Sequence, residues 1–143
     1  MNVGIVGATG YGGADLIRIL NDHPEVRKLQ LYSSSQAGSD IAESFPHLQG
    51  LDGGTLQDID PEMMARELDV VFMATPSGIS SELTPKLLEE GLRVIDVSGD
   101  FRIKDADTHE TWYKKKAAPE REKAVYGLTE WAKEEIKEAS LLA

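Results

Sequence analysis

Seven residues, Gly7-Ala8-Thr9-Gly10-Tyr11-Gly12-Gly13, join an apolar run at 2–6 to a segment, 14–20, whose apolar residues recur at helical spacing. A glycine-rich strand-to-helix junction of this kind can hold a phosphate without any basic side chain. The first helical N–H groups have no partner within the helix, the helix dipole adds partial positive charge, and glycine lets the backbone come close. The spacing is G-x-x-G-x-x-G through Gly7, Gly10 and Gly13, with Thr9 standing where the commoner G-x-G-x-x-G has its second glycine. Any tight βα turn uses glycine for backbone reasons alone. Strand before, helix after and a second strand at the expected distance favour a nucleotide's pyrophosphate as the ligand.

Three later loops carry further chemistry. After a predicted second strand at 26–32, Ser33, Ser34 and Ser35 stand where NAD binders commonly place an acid for the ribose 2'-hydroxyl. Hydroxyl and backbone donors there suit a 2'-phosphate, which a carboxylate would repel, so NADP(H) is the preferred cofactor; a serine-rich turn with no ligand is the competing reading. Ala74-Thr75-Pro76-Ser77-Gly78 follows a strand at 69–74 and is equally a nicotinamide-facing rim, through Ser77, or ordinary helix-entry chemistry. Asp96-Val97-Ser98-Gly99-Asp100-Phe101-Arg102 places two carboxylates, a hydroxyl and a guanidinium after another strand. Arg102 is suited to gripping a phosphate or carboxylate bidentately, or to a structural bridge with Asp100 or Asp105.

These loops need a scaffold that brings them to one edge. Strands are expected at 2–6, 26–32, 55–57, 69–74 and 93–97, with Ser140-Leu141-Leu142-Ala143 opening one more; helices are expected at 14–20, from Pro61, at 80–90 and at 129–137. Residues 41–54 and 98–127 read as irregular. Alternating βα units imply an α/β fold, a Rossmann-like doubly wound parallel sheet, with ligands at the carboxyl ends of the strands where the four loops emerge. Residues 1–143 read as one nucleotide-binding domain.

Composition narrows the partners. A formal net charge of -10 and a pI near 4.7 oppose nucleic acid and anionic membranes as ligands. Lys114-Lys115-Lys116 beside Trp112 and Tyr113 reads as a solvated face, with the two aromatics as anchors for the long loop. No apolar stretch approaches membrane-spanning length, and the expectation is a cytoplasmic protein. Cysteine is absent, so the chain carries no disulfide, no thiolate metal site and no thiol nucleophile. His23, His47 and His109 lack metal-ligand spacing and are expected at the surface.

Taken together, the segments resemble the N-acetyl-gamma-glutamyl-phosphate reductases and, more distantly, the aspartate-semialdehyde dehydrogenases. The resemblance rests on five ordered stretches: residues 3–13, Ser33-Ser34-Ser35 with Ala37-Gly38, Phe45-Pro46-His47-Leu48, residues 94–102, and Tyr126-Gly127-Leu128-Thr129-Glu130. It implies NADPH-dependent reductive dephosphorylation of an acyl phosphate to a semialdehyde through a cysteine thioester, by an enzyme that is a homo-oligomer when full length. It assigns Gly7, Thr9, Gly10, Tyr11, Gly12 and Gly13 to the pyrophosphate turn, Ser33, Ser34 and Ser35 to the 2'-phosphate, Ser77 to the cofactor rim and Arg102 to the substrate's phosphate. In that family the nucleophilic cysteine follows shortly after the segment ending at Ala143 and the assisting histidine lies in a second domain. The sequence is therefore expected to be a cofactor domain truncated before the catalytic substrate domain, with no catalytic residue of its own and no turnover alone. Gln36, where the family often has arginine, and Thr129, where proline is usual, are departures. A stand-alone nucleotide-sensing module is the alternative from another class. The extended short-chain dehydrogenases are disfavoured because neither Tyr113 nor Tyr32 heads a Tyr-x-x-x-Lys pair.

Overall fold

The computed structural model describes residues 1–143. Its centre is β1 (Asn2–Val6), whose residues from Val3 onward are buried because both faces of the strand are covered. The chain continues through α1 (Tyr11–Asn21), β2 (Lys28–Tyr32), two 3-10 turns at Ile41–Glu43 and Pro46–Leu48, and β3 (Leu56–Gln57). Then follow α2 (Pro61–Glu67), β4 (Val70–Met73), α3 (Ile79–Glu89), β5 (Arg93–Asp96), α4 (Ala106–Tyr113), a 3-10 turn at Pro119–Glu122, α5 (Lys133–Glu138) and β6 (Leu141–Leu142). All strand pairings are parallel, in the order β3-β2-β1-β4-β5-β6. The predicted doubly wound sheet is the observed one.

Period-two alternation along the strands separates two cores. On one face Val3 and Ile5 of β1 and Leu29 and Leu31 of β2 meet Ile17 and Leu20 of α1; on the other Val6, Val71, Met73 and Val94 meet Met64 of α2, Leu87 of α3 and Phe101. Gly4 is small for a packing reason, since a Cβ there would lie 2.6 Å from Leu68 and 3.2 Å from the Tyr32 ring. Phe72, Ile95 and Leu142 stand in register across β4, β5 and β6 and are only partly covered. With Leu20, Val26 and Ile136 they line an apolar groove of about 270 Å³.

The segment 98–127, expected to be irregular, contains α4. Asp105 starts that helix, its carboxylate accepting from Thr108 N–H at 2.8 Å, and this hydrogen bond holds the acid below the usual carboxylate range, with Arg121 adding to the effect. The buried face of α4 is easy to miss in sequence because its one fully buried residue is a histidine. His109 is 2% exposed, not at the surface, and its ring stacks on Tyr113 with centroids 4.9 Å apart. Trp112 corrects a second expectation: 75% exposed, it anchors nothing, and Tyr113 alone packs the segment down. The acidic helix is also shorter than expected, because residues 129–131 form a turn before α5 begins.

Candidate functional site

Turn formation after β1 begins with Gly7, whose φ of +85° favours glycine; a Cβ there would also run into the Ala74 carbonyl at the end of β4. Gly10 N–H returns to Gly7 O at 3.1 Å, closing the turn. Gly13 is required by packing, since its Cβ would stand 2.7 Å from Ala8 Cα. Gly12 differs: nothing lies within 4 Å of an added Cβ, and at Gly10 the nearest atom is an ordinary 3.5 Å away. The fold itself thus accounts for two of these glycines and leaves Gly10 and Gly12 to whatever approaches the helix end.

What approaches must accept hydrogen bonds. Ala14 N–H is the first in α1 to reach back, to Gly10 O at 2.9 Å, and no side chain caps the helix. The N–H groups of Tyr11, Gly12 and Gly13 ahead of it therefore have no partner. Tyr11 is exposed beside them and Thr9 lies half-buried in the turn. Across the gap, the Thr75 hydroxyl is buried without a partner, and its methyl would be 3.3 Å from a Cβ on Gly7. Free backbone donors, a glycine-bared helix end and an orphaned hydroxyl are the donor set that a dinucleotide pyrophosphate and ribose use.

Ser33 follows β2 with its N–H on Gln57 O at 3.0 Å and is itself buried, whereas Ser34 and Ser35 are exposed. No carboxylate occurs between 33 and 39, and Asp40 is turned onto its own helix start, accepting from Ala42 N–H at 2.7 Å. Just upstream, burial pushes the Tyr32 phenol up to about 12, with the nearby Glu67 charge adding to it.

The loops after β4 and β5 are joined by one acid, Asp100, whose partners lie in the β4 loop and the start of α3 and not on Arg102. Asp100, 2% exposed, accepts from Ser77 Oγ at 2.6 Å, Gly78 N–H at 2.7 Å and Ser81 N–H at 3.0 Å. It caps α3 from another loop and turns the Ser77 hydroxyl inward. Asp96 folds the β5 exit in the same way, accepting from Ser98 Oγ at 2.7 Å and Gly99 N–H at 3.2 Å. The Asp-x-Ser spacing at 96–98 was the available signal for this Asx turn. With both acids so engaged and Asp105 capping α4, the Arg102 side chain has neither an ion pair nor a hydrogen bond within the chain. It is exposed and lines an open cavity of about 400 Å³ with Val97, Tyr126 and Leu128.

Residues 2–139 match the family described as semialdehyde dehydrogenase, NAD binding domain. The chain belongs to the semialdehyde dehydrogenase family. Within it, the chain is 54% identical over its whole length to N-acetyl-gamma-glutamyl-phosphate reductase from Geobacillus sp. (strain WCH70), and equally so to that from Brevibacillus brevis. It spans 42% of the length of each of these relatives. Among solved structures, aspartate semialdehyde dehydrogenase with NADP from Candida albicans aligns with a TM-score of 0.62 at 22% identity, over 82% of this chain and 40% of that one. Aspartate semialdehyde dehydrogenase II from Vibrio cholerae, complexed with ASA, aligns at 0.64 and 18% identity, over 99% of this chain and 41% of that one. At these identities the two structures speak to the fold, which is that of the semialdehyde dehydrogenase cofactor domain. The chain is thus a nicotinamide-dinucleotide-binding domain of this family, and no helix in it is long and apolar enough to cross a membrane.

Proposed function

We propose that this chain is the NADP(H)-binding domain of an N-acetyl-gamma-glutamyl-phosphate reductase, a cytoplasmic, homo-oligomeric enzyme that reduces an acyl phosphate to a semialdehyde with release of phosphate. The observation that carries this reading is the 54% identity along the entire chain to curated reductases, against 18% to 22% for the aspartate semialdehyde dehydrogenases.

In this reading the unpartnered N–H groups of Tyr11, Gly12 and Gly13 hold the pyrophosphate, with Gly7 and Thr9 shaping the turn and Gly10 giving access. The exposed hydroxyls of Ser34 and Ser35 donate to the adenosine 2'-phosphate, and Ser33, buried on Gln57, fixes the direction of that loop. The absence of any acid from 33 to 39 is what admits the phosphate. Ser77 shapes the nicotinamide rim through its bond to Asp100. Arg102, free of intramolecular partners, takes the anionic end of the acyl phosphate. When bound, the reduced nicotinamide supplies the hydride. The chain contains no cysteine to form the acyl-enzyme, so its part is to bind and orient, and turnover requires a substrate domain that provides the nucleophile and the assisting acid-base group.

The test is a calorimetric titration of the purified chain with NADPH and, separately, NADH at fixed ionic strength. Saturable binding with NADPH ahead supports the assignment; equal affinities would remove the role given to Ser34 and Ser35; no binding of either would leave the Gly7 turn a structural turn.

A further inference from the structure

The segment just before the acidic turn at 129–131 is tied to the sheet more firmly than its loop position suggests. Val125 N–H donates to Leu141 O at 2.9 Å, Ala143 N–H to Val125 O at 3.0 Å and Gly127 N–H to Ala143 O at 2.9 Å, so residues 125–127 extend the parallel ladder beyond β6. Tyr126 stands between two of these bonded residues. Its backbone is therefore held, yet its side chain is 54% exposed and its hydroxyl bonds to nothing in the chain. It lines the same 400 Å³ cavity as Arg102, at the carboxyl ends of β5 and β6; the wall around the two is mostly apolar, with Val97 and Leu128 also exposed, and its one acid, Asp96, is buried and already accepts from Ser98 and Gly99. A fixed aromatic donor and an unpaired guanidinium in one cavity form a two-point grip for a small molecule with an anionic end and a neutral hydrogen-bond acceptor.

We propose that Tyr126 is a specificity-determining ligand contact, its phenol donating to the neutral amide carbonyl of an N-acylated amino-acid ligand whose anionic end is taken by Arg102. This inference rests on the substrate class proposed above. It assigns to this chain, and not to the substrate domain alone, the discrimination between an N-acylated and a free amino acid. A phenol suits that task because a neutral donor loses little when an amide carbonyl occupies it, whereas a free ammonium in its place offers no acceptor and repels the nearby guanidinium.

The experiment is isothermal titration of the folded 143-residue chain with three probes, inorganic phosphate, N-acetyl-L-glutamate and L-glutamate. Wild type is compared with Tyr126→Phe and Arg102→Gln. Both positions are exposed, so neither variant should disturb the fold, which circular dichroism checks. The expected result is N-acetyl-L-glutamate bound in preference to L-glutamate. Tyr126→Phe should weaken the acetylated ligand about tenfold, the loss of one good hydrogen bond, and leave phosphate unchanged. Arg102→Gln should weaken phosphate and N-acetyl-L-glutamate alike. If Tyr126→Phe binds N-acetyl-L-glutamate as the wild type does while Arg102→Gln loses it, the role of Tyr126 falls and that of Arg102 stands. If Arg102→Gln also binds normally, the anion-site reading of Arg102 falls with it. Failure of the wild-type chain to bind the acetylated ligand at all overturns the proposal, since both contacts it invokes, Tyr126 and Arg102, belong to this chain.

Discussion

The turn after β1 and the loop after β5 open on the same edge of the sheet, but they are built from different material. The first is almost pure backbone: Gly7 supplies the positive φ, Gly13 the close approach to Ala8, and the site consists of main-chain N–H groups. The second is held by side chains, with Asp96 closing its own turn and Asp100 reaching across to Ser77 and the start of α3. A backbone site tolerates changes in the side chains around it but not added bulk at a glycine. A side-chain site fails when one acceptor is removed, because several donors share it.

Substitutions separate the two kinds of site. Gly10→Val is expected to cost on the order of 3 kcal/mol of NADPH binding, the worth of about two charge-assisted hydrogen bonds, with the thermal midpoint nearly unchanged because an added Cβ meets the chain no closer than an ordinary 3.5 Å contact. Undiminished affinity in that variant would sink the account of the turn. Asp100→Ala is expected to lower unfolding free energy by about 3 kcal/mol, leaving the donors of Ser77, Gly78 and Ser81 without an acceptor. Urea denaturation measures this, and a change within error of zero would mean that water replaces the carboxylate. Ser35→Asp acts at a third loop: NADPH should bind about tenfold more weakly from like-charge repulsion with the 2'-phosphate, while NADH holds. Matched losses for the two cofactors would argue against the 2'-phosphate site. His109→Phe should stabilise the chain by roughly 1 kcal/mol, since both ring nitrogens are buried without partners; a lower urea midpoint would show that a ring nitrogen is bonded after all. The smallest effect at neutral pH comes from Tyr32. Its phenol is raised to about 12 in the folded chain against an ordinary value of 10, so the stability it contributes is complete below pH 10 and is lost as pH rises from 10 towards 12. Tyr32→Phe should flatten that alkaline limb in thermal melts, and an unchanged limb would count against the shift.

The same contrast explains what the sequence could disclose. Glycines at a strand-to-helix junction announce themselves by spacing, because the backbone geometry they permit is local; the sheet followed for a similar reason, since buried parallel strands are continuous apolar runs. Asp100 was visible as a residue but not as a cap, because its donors lie nineteen to twenty-three positions earlier in the chain. Helix α4 was hidden by polarity: Asp105 and Thr108 give an ordinary start signal, but the residue turned to the core is His109, which a hydrophobic pattern does not count. Tyr126 carried a motif in sequence, and only the ladder with Ala143 and the cavity shared with Arg102 gave it a direction.

The strand order has a consequence for how the molecule comes into being. With β1 inside and the order β3-β2-β1-β4-β5-β6, every strand after the first has as its inner neighbour one that precedes it in the chain. A nascent chain emerging from the ribosome can therefore lay the sheet down outward in both directions, and no strand waits for a later one to complete its inner edge. The turn at Gly7 is the exception to this order of assembly. It is made well before β4, yet its floor is the Ala74 carbonyl at the end of that strand, so the phosphate-binding turn is finished only once β4 has been made.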